Sequence, residues 1–323
     1  QVSSLIPSAL SQCFCFCLPA RYDVEAEGRR FKRRRLLASG GYGEVYVVRD
    51  VQSGERLAMK EMKPCDDKGM ERTVKEIQFH LQFSHHPSVV PLLLNTSAPL
   101  VTRLFFPLYE RGPLAQLLDE RRKTKDYLPY DEVLSHFSSV TSALVAMHSS
   151  RVAHRDLNPR NVMVADDGSV RLTDFGSALE MPLEIRTVED SVYQREQAEM
   201  HCSMAYRAPE LFSCETGRTL TVSSDIWSLG CLLYALAWFE SPFDRIHATG
   251  GSIALAAQSP ENLPYPVDGT PYDDRLPSLI RAMLVVEADA RLVADAVATR
   301  TTRLREEVGR STGGAAEQRE ALA

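Results

Sequence analysis

Two short runs in the middle of the chain carry side chains suited to phosphoryl transfer. His154-Arg155-Asp156-Leu157-Asn158-Pro159-Arg160-Asn161 is followed by Asp174-Phe175-Gly176. Transfer to a hydroxyl needs one carboxylate to orient the acceptor O–H and a second to hold Mg²⁺ against the phosphates. Asp156 and Asp174 fit these roles, and Asn161 offers a neutral oxygen to a second Mg²⁺. Chance does not explain both runs at this spacing.

Two features nearer the start of the chain could hold nucleotide phosphates. In Ala38-Ser39-Gly40-Gly41-Tyr42-Gly43-Glu44-Val45, missing side chains would let backbone N–H groups approach phosphate oxygens. The alternative is a plain hairpin turn. Lys60 ends an apolar strand, where its amine needs an anionic partner, and Glu76 is the predicted one. The alternative is a surface lysine, with Glu71 and Glu76 as ordinary solvated helix residues.

The elements that must position these residues change in type along the chain. Alternation predicts strands at Arg33–Val48 (a hairpin), Arg56–Met62, Val89–Leu94, Leu100–Leu108, Val162–Val164 and Val170–Leu172. Helical spacing predicts helices at 72–84, Leu114–Arg122 and Tyr130–Ser149, the first burying Val74, Ile77, Leu81 and Phe83. We therefore predict an α+β fold with a strand-rich lobe at about 22–106 and a helical lobe at about 110–305. A leader at 1–21 and a loose, flexible tail at 306–323 flank it.

Composition excludes several classes of protein. With 44% apolar and 25% charged residues, the 323-residue chain can build an ordinary globular core. A net charge of −6 argues against nucleic acid as the main partner. The odd, scattered set of 7 cysteines favours a reducing compartment over a disulfide framework. The apolar run Ile226–Phe239 is shorter than the roughly 20 residues of a membrane span, so it is predicted to be a buried helix.

These motifs resemble those of protein kinases over about residues 31–300. The resemblance implies a two-lobed fold that binds ATP in the cleft between the lobes, with Mg²⁺ or, alternatively, Mn²⁺. It also implies that Phe106 is the gatekeeper. The nucleotide-binding residues that it implies are Leu37, Ala38, Gly40, Gly41, Gly43, Val45, Ala58, Lys60, Phe106, Pro107, Leu108 and Tyr109.

The resemblance extends to the activation segment, which would run from Asp174-Phe175-Gly176 to Ala208-Pro209-Glu210. Arg291 is placed to pair with Glu210, and Asp225 begins a buried helix that would anchor the catalytic loop. Ser203 stands where serine/threonine kinases place a Ser or Thr beside the catalytic aspartate, although an ordinary loop serine is the alternative. The expected activity is transfer of the ATP γ-phosphate to Ser and Thr hydroxyls of proteins, including autophosphorylation.

Three further runs are similar to the Numb-associated kinase family. They are Tyr206-Arg207-Ala208-Pro209-Glu210-Leu211-Phe212, Trp227-Ser228-Leu229-Gly230-Cys231-Leu232-Leu233-Tyr234-Ala235 and Gly250-Gly251-Ser252-Ile253-Ala254-Leu255-Ala256. The activation segment is long enough for the extra helix typical of that family. We predict this helix at Asp190–Met200.

The sequence departs from the kinase pattern at two positions. Ala38 replaces the first glycine of the usual three, which should stiffen the loop and at most weaken nucleotide binding. Asn158 stands where serine/threonine kinases carry a lysine that neutralises the transferring phosphoryl group. Arg160 is predicted to replace that charge, as an arginine does at this point in tyrosine kinases. The alternatives are a weakly active pseudokinase scaffold and, less compatible with Ala208-Pro209-Glu210, a small-molecule kinase.

The leader contains Cys13, Cys15 and Cys17, which alternate with phenylalanines. Three alternate residues cannot easily close a tetrahedral metal site without a fourth ligand. A non-native leader or a packing strand is a second explanation. S-palmitoylation is preferred because the resembled kinases include one that is acylated before its catalytic domain, and two or more chains anchor well. This predicts a cytoplasmic protein peripheral on membranes, at the Golgi by resemblance. Basic residues from Arg29 to Arg35 either add attraction to anionic lipid or simply solvate a strand.

Overall fold

An antiparallel sheet and one helix form the N-terminal lobe. The structure is a computed structural model that describes residues 23–40, 43–64, 66–98 and 101–320, with side chains as far as Arg310. The strands are β1 Val24–Ala26, β2 Arg29–Gly40, β3 Gly43–Asp50, β4 Arg56–Met62, β5 Leu94–Ala98 and β6 Val101–Pro107, and helix α1, Asp67–Phe83, joins β4 to β5. They pair in the order β1-β2-β3-β4-β6-β5. Cys13, Cys15, Cys17 and Gly41 lie outside the described residues.

The hairpin of β2 and β3 carries the glycine-rich run. Its pairing extends as far as Gly40 opposite Gly43. Gly43 has φ of +120°, and a Cβ there would lie 2.1 Å from the carbonyl oxygen of Glu61 on β4. Only glycine fits this position, because any side chain would collide with the backbone of the neighbouring strand.

The strand predicted at Val89–Leu94 is wrong. No strand runs from Val89 to Leu94, since β5 begins at Leu94. Val89 and Val90 are both buried and reach across to Leu172 in the C-terminal lobe, whose carbonyl accepts from the Val90 amide at 2.8 Å. Consecutive burial of this kind does not produce the alternation of a half-exposed strand.

Helix α1 also buries a different face from the one that its apolar residues indicated. Thr73, Glu76, Phe79, His80 and Phe83 are buried, whereas Val74 and Leu81 are exposed. The helix turns Glu76 inward, and apolar periodicity does not predict a face centred on a carboxylate and an imidazole. The face of α1 that packs toward the sheet is therefore determined by the Lys60–Glu76 ion pair as well as by burial of apolar side chains.

The C-terminal lobe is mainly helical. Its helices are α2 Leu114–Thr124, α3 Tyr130–Ser149, α4 Val188–His201, α5 Glu210–Ser213, α6 Ser223–Trp238, α7 Asp244–Ala248, α8 Ile253–Ala256, α9 Arg275–Met283 and α10 Ala294–Glu320. Short strands are β7 Val152–Ala153, β8 Val162–Val164, β9 Val170–Leu172, β10 Leu179–Glu180, β11 Leu183–Glu184 and β12 Thr219–Leu220. The two-lobed α+β prediction is confirmed. No helix in the described part of the chain is both long and apolar enough to cross a membrane.

Two helices bear directly on the sequence predictions. Helix α6 is buried on all sides, which agrees with the prediction of a core helix rather than a membrane span. Helix α4 contains the predicted extra helix and begins with a capping box, in which the Thr187 side chain accepts from the Asp190 amide at 3.0 Å.

The last helix, α10, differs from the loose structure expected near the C-terminus. Its backbone is helical from Ala294 to Glu320. Val297, Leu304 and Val308 are buried, and this packing nucleates a helix that continues past the poor helix formers Gly309, Gly313 and Gly314. The boundary predicted at residue 305 stays a prediction.

Candidate active site

The carboxylate of Asp156 is held from three sides. Its Oδ1 accepts from the backbone N–H of Ser203 at 2.8 Å and from Asn158 Nδ2 at 3.0 Å. Its Oδ2 accepts from Asn161 Nδ2 at 2.8 Å. Asn158 Nδ2 also lies 3.1 Å from Ser203 Oγ, so one amide connects the catalytic loop to the end of the activation segment. Asp156 is thereby fixed in position while lone pairs of both oxygens stay available to an acceptor O–H.

Helix α6 anchors this loop through Asp225. The buried carboxylate accepts from the backbone N–H of His154 at 2.7 Å and of Arg155 at 2.8 Å, and it lies 2.9 Å from His148 Nε2. Burial alone would raise the pKa of Asp225, but these donors and the His148 charge lower it. The loop needs such an anchor because Arg155 has φ of +67°, a conformation that is costly for a residue with a side chain.

Lys60 joins three parts of the site. Its Nζ lies 2.7 Å from Glu76 Oε1 on α1 and 2.8 Å from Asp174 Oδ1. Burial lowers the pKa of Lys60, but the charges of Asp174 and Glu76 outweigh burial and raise it. Burial also opposes ionisation of Asp174, yet Lys60 holds the pKa of that carboxyl at about 2. Lys60 is therefore a cation and Asp174 an anion at neutral pH.

Phe175 is buried and keeps Asp174 turned toward Lys60. Its ring packs against His80 at 4.6 Å, His154 at 5.6 Å and Phe83 at 5.9 Å. The His154 ring lies between the two motifs, because Nε2 is 3.1 Å from the carbonyl oxygen of Thr173 and Nδ1 accepts from the Asp156 amide at 3.3 Å. Asp174 itself has φ of +65°, which this packing imposes.

The described residues that are predicted to hold a nucleotide lie on β2, β3, β4 and β6 and just after β6. Ala58 on β4 pairs with Phe106 on β6, and Ala58, Tyr109 and Met163 on β8 all pack against the buried cluster that contains Phe106. Met163 is not among the predicted site residues; it is half-buried between buried Val162 and Val164, so it lies on the opposite face of β8 from them. The remaining predicted nucleotide-binding residues lie on β2, on β3, at the end of β6 and just after it. Leu37, Ala38, Gly40, Gly43 and Val45 are on the hairpin, and Pro107 and Leu108 follow Phe106.

A cavity of about 670 Å³ opens under the glycine-rich hairpin. Its lining includes Gly40 and Gly43 of the hairpin, Glu76 of α1, Gly176 and His201 of α4. Arg72 of α1 contacts His201, so α4 is tied to the helix that carries Glu76. The same cavity is thus bordered by the glycine-rich hairpin, by Glu76, which pairs with Lys60, and by Gly176 of the Asp174-Phe175-Gly176 motif.

The site residues fit divalent metal ions that are held jointly with phosphates. Within the described part of the chain, Asn161 Oδ1 and Asp174 Oδ2 have no hydrogen-bond partner, and Asp174 is ionised. The described residues contain no cluster of three His, Cys, Asp or Glu side chains that could hold a metal alone. One carboxylate and one amide oxygen are suitable for Mg²⁺, which usually takes its other ligands from phosphates and water.

The structure places Asn158 against Asp156 and Arg160 away from it, so Arg160 does not simply take the place of a lysine at position 158. Asn158 is buried, and its Oδ1 accepts from the Arg160 amide at 2.9 Å, so the side chain also caps the turn at Pro159–Asn161. Arg160 is exposed and lines a groove with Ser203 and Tyr206. Its charge lowers the pKa of Asp244 across this groove, although burial of Asp244 raises that pKa more strongly. No described contact joins Arg160 to Asp156.

The protein kinase domain family matches residues 31–301 of the chain, and the chain belongs to this family. Protein kinases use ATP and a divalent metal ion. The chain is 28% identical to serine/threonine-protein kinase 16 of Mus musculus over 85% of this chain and 90% of that protein, and equally to the Homo sapiens protein. It is 27% identical to serine/threonine-protein kinase ppk13 of Schizosaccharomyces pombe, over 81% and 87% of the two chains. These matches support serine/threonine protein kinase function.

His80 makes stability depend on pH. Burial, with the Lys60 charge, lowers the pKa of His80 to about 3, whereas an unfolded histidine titrates near 6.5. The unfolded chain therefore binds the extra proton, and stability present above pH 6.5 is lost as pH falls toward 3. Between pH 6 and 4 we expect His80 to contribute a loss of about 1.4 kcal/mol per pH unit to the free energy of unfolding.

Urea unfolding at several pH values tests this dependence. His80→Leu should unfold with a shallower pH dependence than the wild type, by about that amount. His85→Leu, which removes an exposed histidine two residues beyond α1, should keep the wild-type slope. Parallel slopes for wild type and His80→Leu would contradict the prediction.

Proposed function

We propose that this chain is an active kinase that uses ATP and Mg²⁺ to phosphorylate Ser and Thr on proteins, including its own activation segment. The observation that carries the proposal is the Lys60–Glu76–Asp174 ion-pair set together with the fixed carboxylate of Asp156. Lys60 lies within 2.8 Å of both carboxylate partners, and Asp156 is held on both oxygens. A scaffold with no activity would not need these charges at such separations.

Each residue has a role that its surroundings support. Asp156 orients the acceptor hydroxyl and takes its proton, and Lys60, held by Glu76, contacts the α- and β-phosphates. Backbone amides of the glycine-rich hairpin cover the phosphates. Asp174 and Asn161 would hold the metal ions, which neutralise charge that develops on the transferred group.

The proposal also includes the source of positive charge near the acceptor. Asn158 supplies neutral N–H donors to Asp156, so it positions the base without adding a cation. We assign the cation to Arg160, whose exposed side chain starts four residues after Asp156 and borders the same groove as Ser203. A short rotation of this flexible side chain would bring the guanidinium toward the acceptor site.

Transfer of labelled γ-phosphate to a generic protein substrate tests the function. Wild-type protein should label the substrate, and phosphoamino-acid analysis should find phosphoserine and phosphothreonine. Asp156→Asn should reduce labelling at least about 10³-fold because it removes the base. Equal labelling by wild type and Asp156→Asn would refute catalysis by this site, and phosphotyrosine as the main product would refute the assigned specificity.

Membership of the Numb-associated kinase family is a finer proposal. It is supported by helix α4 inside the activation segment and by the similarity to serine/threonine-protein kinase 16. We further propose that acylation of Cys13, Cys15 and Cys17 holds the protein on cytoplasmic membranes, including the Golgi. Hydroxylamine-sensitive labelling in cells should disappear when all three are changed to serine. An unchanged membrane fraction would argue against this anchor.

A further inference from the structure

The side chain of His80 lies at the meeting point of α1, the gatekeeper and the Asp174-Phe175-Gly176 motif. It is completely buried, with its ring 4.9 Å from Phe106 and 4.6 Å from Phe175. Its Nε2 lies 4.0 Å from Glu76 Oε1, one helical turn earlier. The imidazole therefore contacts two aromatic rings and faces the carboxylate that holds Lys60.

Neither nitrogen of this ring has a hydrogen-bond partner within the described residues. A buried N–H or ring nitrogen that gains no partner destabilises the folded state. Leucine would fill the space between Phe106 and Phe175 without that cost. The packing alone thus gives no reason for a histidine here.

The geometry supplies a reason, because the helix places a donor close to Glu76. Lys60 Nζ is divided between Glu76 and Asp174, so the Glu76 carboxylate has only a share of one ammonium. A shift of about 1 Å would bring Nε2 within hydrogen-bond distance of Glu76 Oε1. We propose that His80 is a positioning residue for the Lys60–Glu76 pair and that its Nε2–H donates to Glu76. This inference rests on the proposed function.

A neutral donor suits this position better than a cation would. Burial keeps the pKa of His80 far below neutral, so the ring is uncharged at physiological pH. An uncharged N–H can hold Glu76 in place without competing with Lys60 for its negative charge. It also lets Glu76 stay positioned as Lys60 turns toward phosphate, which a purely apolar residue could not do.

Three variants separate hydrogen bonding from packing. His80→Leu keeps the volume and removes the donor, and we expect its Tm to rise by at least about 2 °C while kcat falls about tenfold. His80→Gln carries an amide N–H with similar reach and should recover most of kcat without the gain in Tm. Phe79→Leu, a buried change on the same helix, should lower Tm and leave kcat unchanged.

A second measurement reads the contact without catalysis. In protein with ¹⁵N-labelled histidine, the His80 ring, assigned by comparison with His80→Leu, should show the Nε2–H tautomer. Glu76→Gln should shift that resonance and leave His85 unchanged. The Nδ1–H tautomer, or wild-type kcat in His80→Leu, would overturn the inference. Failure of the wild type to label substrate would refute the proposed function instead, and the tautomer and the Glu76→Gln shift would still decide the contact.

Discussion

Replacing Lys60 by methionine is expected to abolish phosphoryl transfer and to destabilise the active site. Lys60 Nζ lies between Glu76 and Asp174. Its loss removes the cation from the phosphate site, which should lower kcat/KM by about 10³-fold. It also leaves the buried Glu76 and the half-buried Asp174 carboxylates together, and breaking the buried Lys60–Glu76 pair in this way costs about 3–5 kcal/mol.

The destabilisation should have a recognisable dependence on pH. Burial raises the pKa of Glu76, and the nearby Asp174 charge raises it further, while Lys60 opposes both. Without Lys60, Glu76 takes up a proton in the folded state more readily than in the unfolded state. A raised pKa favours folding at low pH and loses that effect as pH rises. The stability gap between wild type and Lys60→Met should therefore narrow from pH 7 to pH 5.

Chemical denaturation at pH 5, 6 and 7 and single-substrate kinetics measure these effects. Lys63→Met is the matched control, because Lys63 is 63% exposed and its partner Glu61, 3.3 Å away, keeps Arg33 and Arg103 as ion-pair partners. It should change stability by less than about 1 kcal/mol. Activity in Lys60→Met within tenfold of wild type would contradict the role of the lysine.

The site could be predicted from sequence because its chemistry depends on a few side-chain types at close spacing. Asp156 and Asn161 lie on one loop, so their order in the chain nearly determines their contact. Predicting the Lys60–Glu76 pair required one further argument, that a lysine at the end of an apolar strand must pair with a carboxylate. The cost of an unpaired buried charge is large enough to make that step reliable.

Features that depend on distant packing could not be predicted in this way. The helix that carries Glu76 buries His80 and exposes Leu81, because the Lys60 contact fixes its rotation. Val89 and Val90 have strand-forming side chains, but their backbone pairs with Leu172 of the C-terminal lobe. In each instance a long-range partner outweighs local preference. The same limit applies to Asn158: its cap on the following turn is local, but its bridge to Ser203 exists only when the catalytic loop meets the activation segment.

Arg160→Ala is expected to lower kcat about 10²-fold, with a smaller change in KM for the protein substrate. The physical reason is that Asn158 donates neutral N–H groups to Asp156, so Arg160 is the assigned source of positive charge for the phosphoryl group. Introducing a lysine at the kinase position should then rescue the variant. Asn158→Lys should raise kcat at least tenfold in the Arg160→Ala background and much less in the wild type.

The double-mutant cycle distinguishes charge supply from peptide binding. Arg160 also lines the groove with Asp244 and Tyr206, and a role in binding the protein substrate would raise KM while kcat stayed constant. Arg122→Ala is the control, because Arg122 lines the same groove and pairs with Glu240 at 3.0 Å. It should change KM alone. Additive effects of Asn158→Lys and Arg160→Ala would mean that the two side chains do not substitute for one another, which would contradict the assignment of the missing lysine charge to Arg160.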